Sequence, residues 1–136
     1  FTLAQFRDMI HQRKTNIKAL LLDQSFLSGL GNIYVDESLW KSRIHPNSLA
    51  NMIPNIKVEE LYKNIRSTLE DAIKENGTTI IDFSVNGESG RYANCLSIYG
   101  RSKQSCLRCK TKIKKVRVAG RGTYICSKCQ RVYRER

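Results

Sequence analysis

Cys106-Leu107-Arg108-Cys109 and Cys126-Ser127-Lys128-Cys129 are two C-x2-C pairs with sixteen residues between them, and they decide how the C-terminal part of this 136-residue chain folds. That spacing is the pattern of a four-cysteine zinc site. Zinc brings no geometric preference of its own, so four thiolates at about 2.3 Å close a tetrahedron around it. Between the pairs, Ile113, Val116 and Val118 alternate with Lys112, Lys114, Lys115 and Arg117. A turn at Ala119-Gly120-Arg121-Gly122 follows, then the β-prone run Thr123-Tyr124-Ile125. The expectation is a β-hairpin stapled at its open end by one structural zinc held by Cys106, Cys109, Cys126 and Cys129. Two disulfides or a redox pair are the competing readings. No secretion signal accompanies the cysteines, and a redox C-x2-C belongs beside a βαβ pattern.

Charge isolates the same segment. Residues 1–94 hold eleven Lys and Arg against eleven Asp and Glu, while residues 95–136 hold thirteen against the single acid Glu135. The net charge of +12 therefore lies entirely on the stapled part. A charge run is usually a solvated face. Confined to so small a module, it points to an anionic partner, and nucleic acid rewards clustered Lys and Arg through counterion release. No basic amphipathic helix or long apolar run speaks for a membrane.

The remainder reads as helical. Thr2 and Gln5 have the capping-box form, opening a helix with Leu3, Phe6, Met9 and Ile10 inward. A second helix carries Ile17, Leu20 and Leu21, with Thr15 as its cap. After Ser28-Gly29-Leu30-Gly31, a third begins near Asn32 and runs through Val35, Leu39 and Trp40, ended by Pro46. A glycine-rich approach leaves the first N–H groups of a helix open to a phosphate; equally, it can be a plain turn with Asn32 as cap, which local sequence favours. Residues 47–57 read as loop. Val58, Leu61, Ile65, Leu69, Ala72 and Ile73 form the stripe of a long helix stopped by Gly77. Thr78 to Arg91 reads as a linker, and Leu96 to Gly100 as a short strand. Cys95, the odd cysteine, reads as a buried thiol. Among the scattered acids no acid–base pair stands out, and His45 receives no role. The fold class is thus mainly α with a small β part, a helical domain over 1–94 and a zinc-finger hairpin over 95–136. The finger is expected to melt with its metal while the helices persist.

Three stretches in this order carry a resemblance: Leu22-Asp23-Gln24-Ser25 through Gly29-Leu30-Gly31-Asn32-Ile33-Tyr34-Val35-Asp36-Glu37-Ser38-Leu39-Trp40; Ile44-His45-Pro46; and Tyr99-Gly100-Arg101 with the cysteine hairpin. The chain resembles the C-terminal half of bacterial formamidopyrimidine-DNA glycosylases, with endonuclease VIII enzymes as neighbours, over essentially its whole length. The resemblance implies a helix-two-turns-helix DNA-binding domain and the family's zinc finger. It implies base excision repair by a bifunctional glycosylase and lyase that removes 8-oxoguanine and formamidopyrimidines, using an N-terminal proline and an adjacent glutamate. It also implies that Asn32, with Gly31 and Tyr34 beside it, and Arg121 at the finger's turn hold DNA phosphates. Ser89, Gly90, Arg91 and Tyr92 would belong to a loop over the flipped base, within 82–94. Flipping costs a few kcal/mol of unstacking, which phosphate contacts must offset.

The chain departs from that pattern at three places. It begins at Phe1, reading as a piece of a longer protein, so the proline and the β-rich domain around it are not among these residues. Lys110 stands where many members have glycine, and Ser25 where some have lysine. The expected partners are duplex DNA with a lesion or abasic site and the catalytic half of the same protein. The expected state is a cytoplasmic monomer that binds damaged duplex without cutting it. A stand-alone zinc-ribbon protein for RNA or assembly is the alternative.

Overall fold

The structure is a computed structural model and describes residues 2–23, 31–74 and 96–134. Helix α1 spans Leu3–His11, with the Thr2 hydroxyl accepting from the Gln5 N–H at 3.1 Å and the Gln5 side chain accepting from the Thr2 N–H at 2.9 Å. The capping box is therefore formed as expected. Helix α2 spans Ile17–Asp23, and its cap differs from expectation. The Asn16 carboxamide accepts the Ala19 N–H at 2.7 Å, which makes Asn16 the cap. Thr15 instead offers its carbonyl to the Ala50 N–H.

Helix α3 spans Asn32–Lys41, and all its residues from Tyr34 to Trp40 are buried. A helix buried all round belongs at the centre of a fold. It stops well before Pro46. Arg43 takes a left-handed backbone, φ 59°, while the Ile44 N–H returns to the Leu39 carbonyl and the Arg43 N–H to the Trp40 carbonyl. That Schellman closure, sealed by buried Leu39 and Ile44, terminates α3. Within the expected loop 47–57, Ala50–Met52 make one 3-10 turn, and helix α4, Asn55–Lys74, starts directly after Pro54. Val58, Leu61 and Ile65 pack against Phe6, Ile10, Leu20, Leu21, Val35 and Leu39 in one core.

Strands β1 (Lys114–Val118) and β2 (Arg121–Ile125) pair antiparallel, with Val118 opposite Arg121 and Lys114 opposite Ile125. The turn between them has two residues, Ala119 at φ 54° and Gly120 at φ 72°, the positive pair that matches strand twist. Arg121 consequently opens β2 and does not lie in the turn. Leu96 to Gly100 form bends and turns, not a strand. The N–H groups of Ser97, Ile98 and Tyr99 are taken by a helix side chain, as described below. Gly77, the 78–91 segment, Cys95, Ser25, Ser28, Gly29 and Leu30 lie outside the described residues. Among those described, no helix is long and apolar enough to cross a membrane.

Candidate metal centre and nucleic-acid interface

The four cysteines converge. Their sulfurs all lie within 4.8 Å of one another, with Cys106 to Cys129 at 3.7 Å and Cys109 to Cys126 at 3.4 Å. Four sulfurs at about 2.3 Å from a central zinc would stand about 3.8 Å apart, so the cluster fits one tetrahedral zinc with no position left for water. No disulfide joins them. Without metal the thiols titrate apart: the Thr111 hydroxyl and N–H bring Cys109 down to about 6, and burial pushes Cys126 up to about 12. A dication supplies the charge that would hold all four as thiolates. The zinc is structural. It ties the turn before β1 to the turn after β2.

What the metal presents is set by α3. Two adjacent acids of that helix dock the finger, a role that sequence reasoning missed. Glu37 accepts three successive N–H groups, from Ser97, Ile98 and Tyr99 at 2.7, 2.8 and 2.9 Å. Those donors are thereby unavailable for a strand ladder. Asp36 accepts from the Tyr124 N–H of β2 at 3.0 Å and from Lys18 of α2 at 2.8 Å. Lys18 in turn donates to the Thr123 hydroxyl at 2.6 Å. Both side chains of this ion pair are fully buried. Burial pushes the Asp36 carboxyl up to about 6 and the Lys18 ammonium down, each partner opposing the other's shift. The signal was present in the sequence: Lys18 sits within the apolar run Ile17 to Leu22, and Asp36-Glu37 within Tyr34 to Trp40.

The C-terminal tail adds a second attachment. Gln130, 3% exposed, accepts from the Cys126 N–H and donates to the Ile44 carbonyl. Arg131 exchanges backbone bonds with Arg43 and His45, while the Tyr133 carbonyl accepts the Leu49 N–H and its N–H donates to the Ser48 hydroxyl. The loop Ile44-His45-Pro46 thus serves as a docking edge.

Of the residues assigned to phosphate, Asn32 and the finger come together. Gly31 is the N-cap residue of α3, with no side-chain cap, so Asn32 is the first helical residue and not the cap. Its Nδ2 donates to the Gly122 carbonyl at 3.0 Å and to the Tyr99 hydroxyl at 3.2 Å. Its Oδ1 is buried and finds no partner among the described residues. Tyr99 thereby joins the constellation without having been singled out. Gly31 offers its carbonyl to the Val35 N–H, the first intrahelical bond. Tyr34 itself is 2% exposed and packs in the helical core, which turns its side chain away from the surface. Arg121 is exposed at the head of β2, beside a cleft lined by Arg13, Thr15, Asp23 and Ala119. Ser89, Gly90, Arg91 and Tyr92 lie outside the described residues.

Comparison with known proteins agrees with this architecture. The family model for the formamidopyrimidine-DNA glycosylase H2TH domain matches residues 1–84, and that for the zinc finger found in FPG and IleRS matches residues 103–132. The formamidopyrimidine-DNA glycosylase of Lactobacillus gasseri is 50% identical over 135 residues, 98% of this chain and 49% of the relative. That of Pelotomaculum thermopropionicum is 43% identical over 133 residues, 97% of this chain and 48% of the relative. The Lactococcus lactis Fpg solved in complex with DNA containing an abasic site superposes with a TM-score of 0.86 at 39% identity, covering 96% of this chain and 48% of that one. The chain spans about half the length of the curated relatives it matches. With the helical core, the clustered cysteines and the matched models all in agreement, the chain belongs to the formamidopyrimidine-DNA glycosylase family, as its H2TH and zinc-finger part.

Proposed function

We propose that these 136 residues are the DNA-holding part of a bifunctional glycosylase and AP lyase that removes oxidised purines, 8-oxoguanine and formamidopyrimidines, in base excision repair. The observation that carries this reading is the bond from Asn32 to the Gly122 carbonyl, which ties the start of α3 to the residue after Arg121. Two groups from distant parts of the chain, proposed to hold phosphates, are thereby held in one frame, one of them in the segment 95–136 that carries all the excess positive charge. Both amide hydrogens of Asn32 are engaged, so a phosphate bound there would replace the Tyr99 hydroxyl as acceptor. Gly31 and Tyr34 would stand with Asn32 in the same phosphate-holding stretch at the start of α3. Ser89 to Tyr92 would cover the flipped base. Residues 1–94 and 95–136 form the two parts of this grip. The partners are duplex DNA with a lesion or abasic site and the catalytic half of the same protein. The whole works as a monomer in the bacterial cytoplasm, at the nucleoid.

Fluorescence anisotropy with abasic duplex, plain duplex and single-stranded RNA tests the proposal. Four to six neutralised phosphates, roughly, would give a log–log salt slope of about −4 to −5. Arg121→Ala should weaken binding by about 1–3 kcal/mol. A flat salt dependence would overturn the proposal, and preference for RNA would favour the zinc-ribbon RNA reading instead. The 136 residues alone should leave no borohydride-trapped adduct on abasic DNA.

A further inference from the structure

A buried donor without an acceptor calls for an explanation, and two of them stand beside the cysteine cluster. Trp40 is 6% exposed, and its indole Nε1 makes no completed hydrogen bond among the described residues; the acceptor facing it is the Cys106 sulfur. The Nε of Arg108 is buried in the same condition, and the Cys129 sulfur faces the Arg108 guanidinium. Neither is remote from an anion. Trp40 shares its cluster with Ile98, Cys106, Ile113 and Cys126, and Cys109 and Cys129 pack against it. Arg108 lies inside the first cysteine pair, its guanidinium carbon 3.7 Å from the centre of the Trp40 ring and its Nη2 donating to the Trp40 carbonyl. The arginine thus binds the C-terminal end of α3, where the helix dipole favours a cation. Four thiolates around a zinc dication keep a net double negative charge, and their sulfurs accept N–H donors.

We propose that Trp40 and Arg108 are the outer shell of the zinc site, donating to the metal-bound sulfurs of Cys106 and Cys129 respectively. Trp40 is then a positioning residue supplied to the finger's metal by a helix outside the finger. Zinc retention depends on α3, and the helix that starts at Asn32 ends on the metal's ligand shell. The stacked guanidinium holds the indole plane and offsets part of the thiolate charge, so the two side chains act together. Outer partners of this kind are typically worth about 10–100-fold in metal affinity.

The test uses the whole chain with its zinc exchanged for cadmium-113. Trp40 is the only tryptophan, so a single indole N–H resonance reports the site. A scalar coupling between that proton and cadmium is expected, because it crosses only an N–H···S–Cd bond. Trp40→Phe keeps the ring stack and removes the donor; it should release zinc to a chelator about tenfold faster or more, with helical circular dichroism unchanged. Arg108→Gln should accelerate release as well. An uncoupled indole proton, with zinc release from Trp40→Phe equal to that of the parent chain, overturns the proposal. If Trp40→Phe does not fold, the cadmium coupling in the unsubstituted chain decides alone.

Discussion

Lys110 shows what one residue can cost. It follows the first cysteine pair with φ 68°, its N–H returning to the Cys106 carbonyl at 3.0 Å. Left-handed backbone suits glycine and strains a residue with a Cβ, by about 1 kcal/mol or more. Lys110→Gly should therefore stabilise the zinc-loaded finger by about 1 kcal/mol, read as a higher denaturation midpoint. A lower midpoint would mean that the lysine side chain contributes something its backbone conceals. Asp36 gives a pH dependence. Burial first raises its pKa to about 6, with Lys18 and the Tyr124 N–H opposing and Glu37 adding to it, whereas an unfolded aspartate titrates at about 3.9. A raised folded-state pKa means that the folded chain keeps a proton the unfolded chain releases. The stabilising contribution is complete below about pH 3.9 and is lost as pH rises through about 6. Urea midpoints measured against Asp36→Asn should thus show the parent chain losing its relative advantage across that interval. Arg121, the other charge near Lys18, should shift the window and not reverse it.

At the scale of elements, α3 organises the rest. Its apolar residues were legible from sequence, and so was its position before the finger. Its acids Asp36 and Glu37 were visible as charges set in an apolar run, but their partners were not, because the N–H groups they bind come from Ser97 to Tyr99 and from Tyr124. Glu37→Gln should cost about 1–3 kcal/mol, since an amide can accept from the bound N–H groups with only one of its two ends. Hydrogen exchange at Ile98 and Tyr99 should accelerate first. Unchanged protection there would show that the 97–99 bend holds without the carboxylate. The same docking explains why β-prone Leu96 to Gly100 form no strand: carboxylate bonds to the N–H groups of Ser97, Ile98 and Tyr99 replace the ladder.

At the scale of the whole molecule, helical part and finger share more than a boundary. Trp40 of α3 lies in the finger's core, Lys18 of α2 reaches Thr123, and the tail from Gln130 to Tyr133 binds the loop after α3. Chelating zinc should consequently lower the thermal midpoint of the helical signal as well as melt the hairpin. This replaces the sequence-based expectation that the helices persist unaffected. A helical midpoint indifferent to zinc would mean that these contacts add little coupling.

Local sequence sufficed for the long helices, the hairpin and the metal. Periodic apolar residues, the Thr2 capping box and two spaced cysteine pairs are local signals, each sufficient because its partners lie within a few residues or share one ion. Only the tertiary structure decided how the finger is aimed. Asn32 meets Gly122 across ninety residues, and Lys18 meets Thr123 across 105. Contacts at such separation leave no local pattern; they exist because buried charges and amides need partners wherever the fold supplies them.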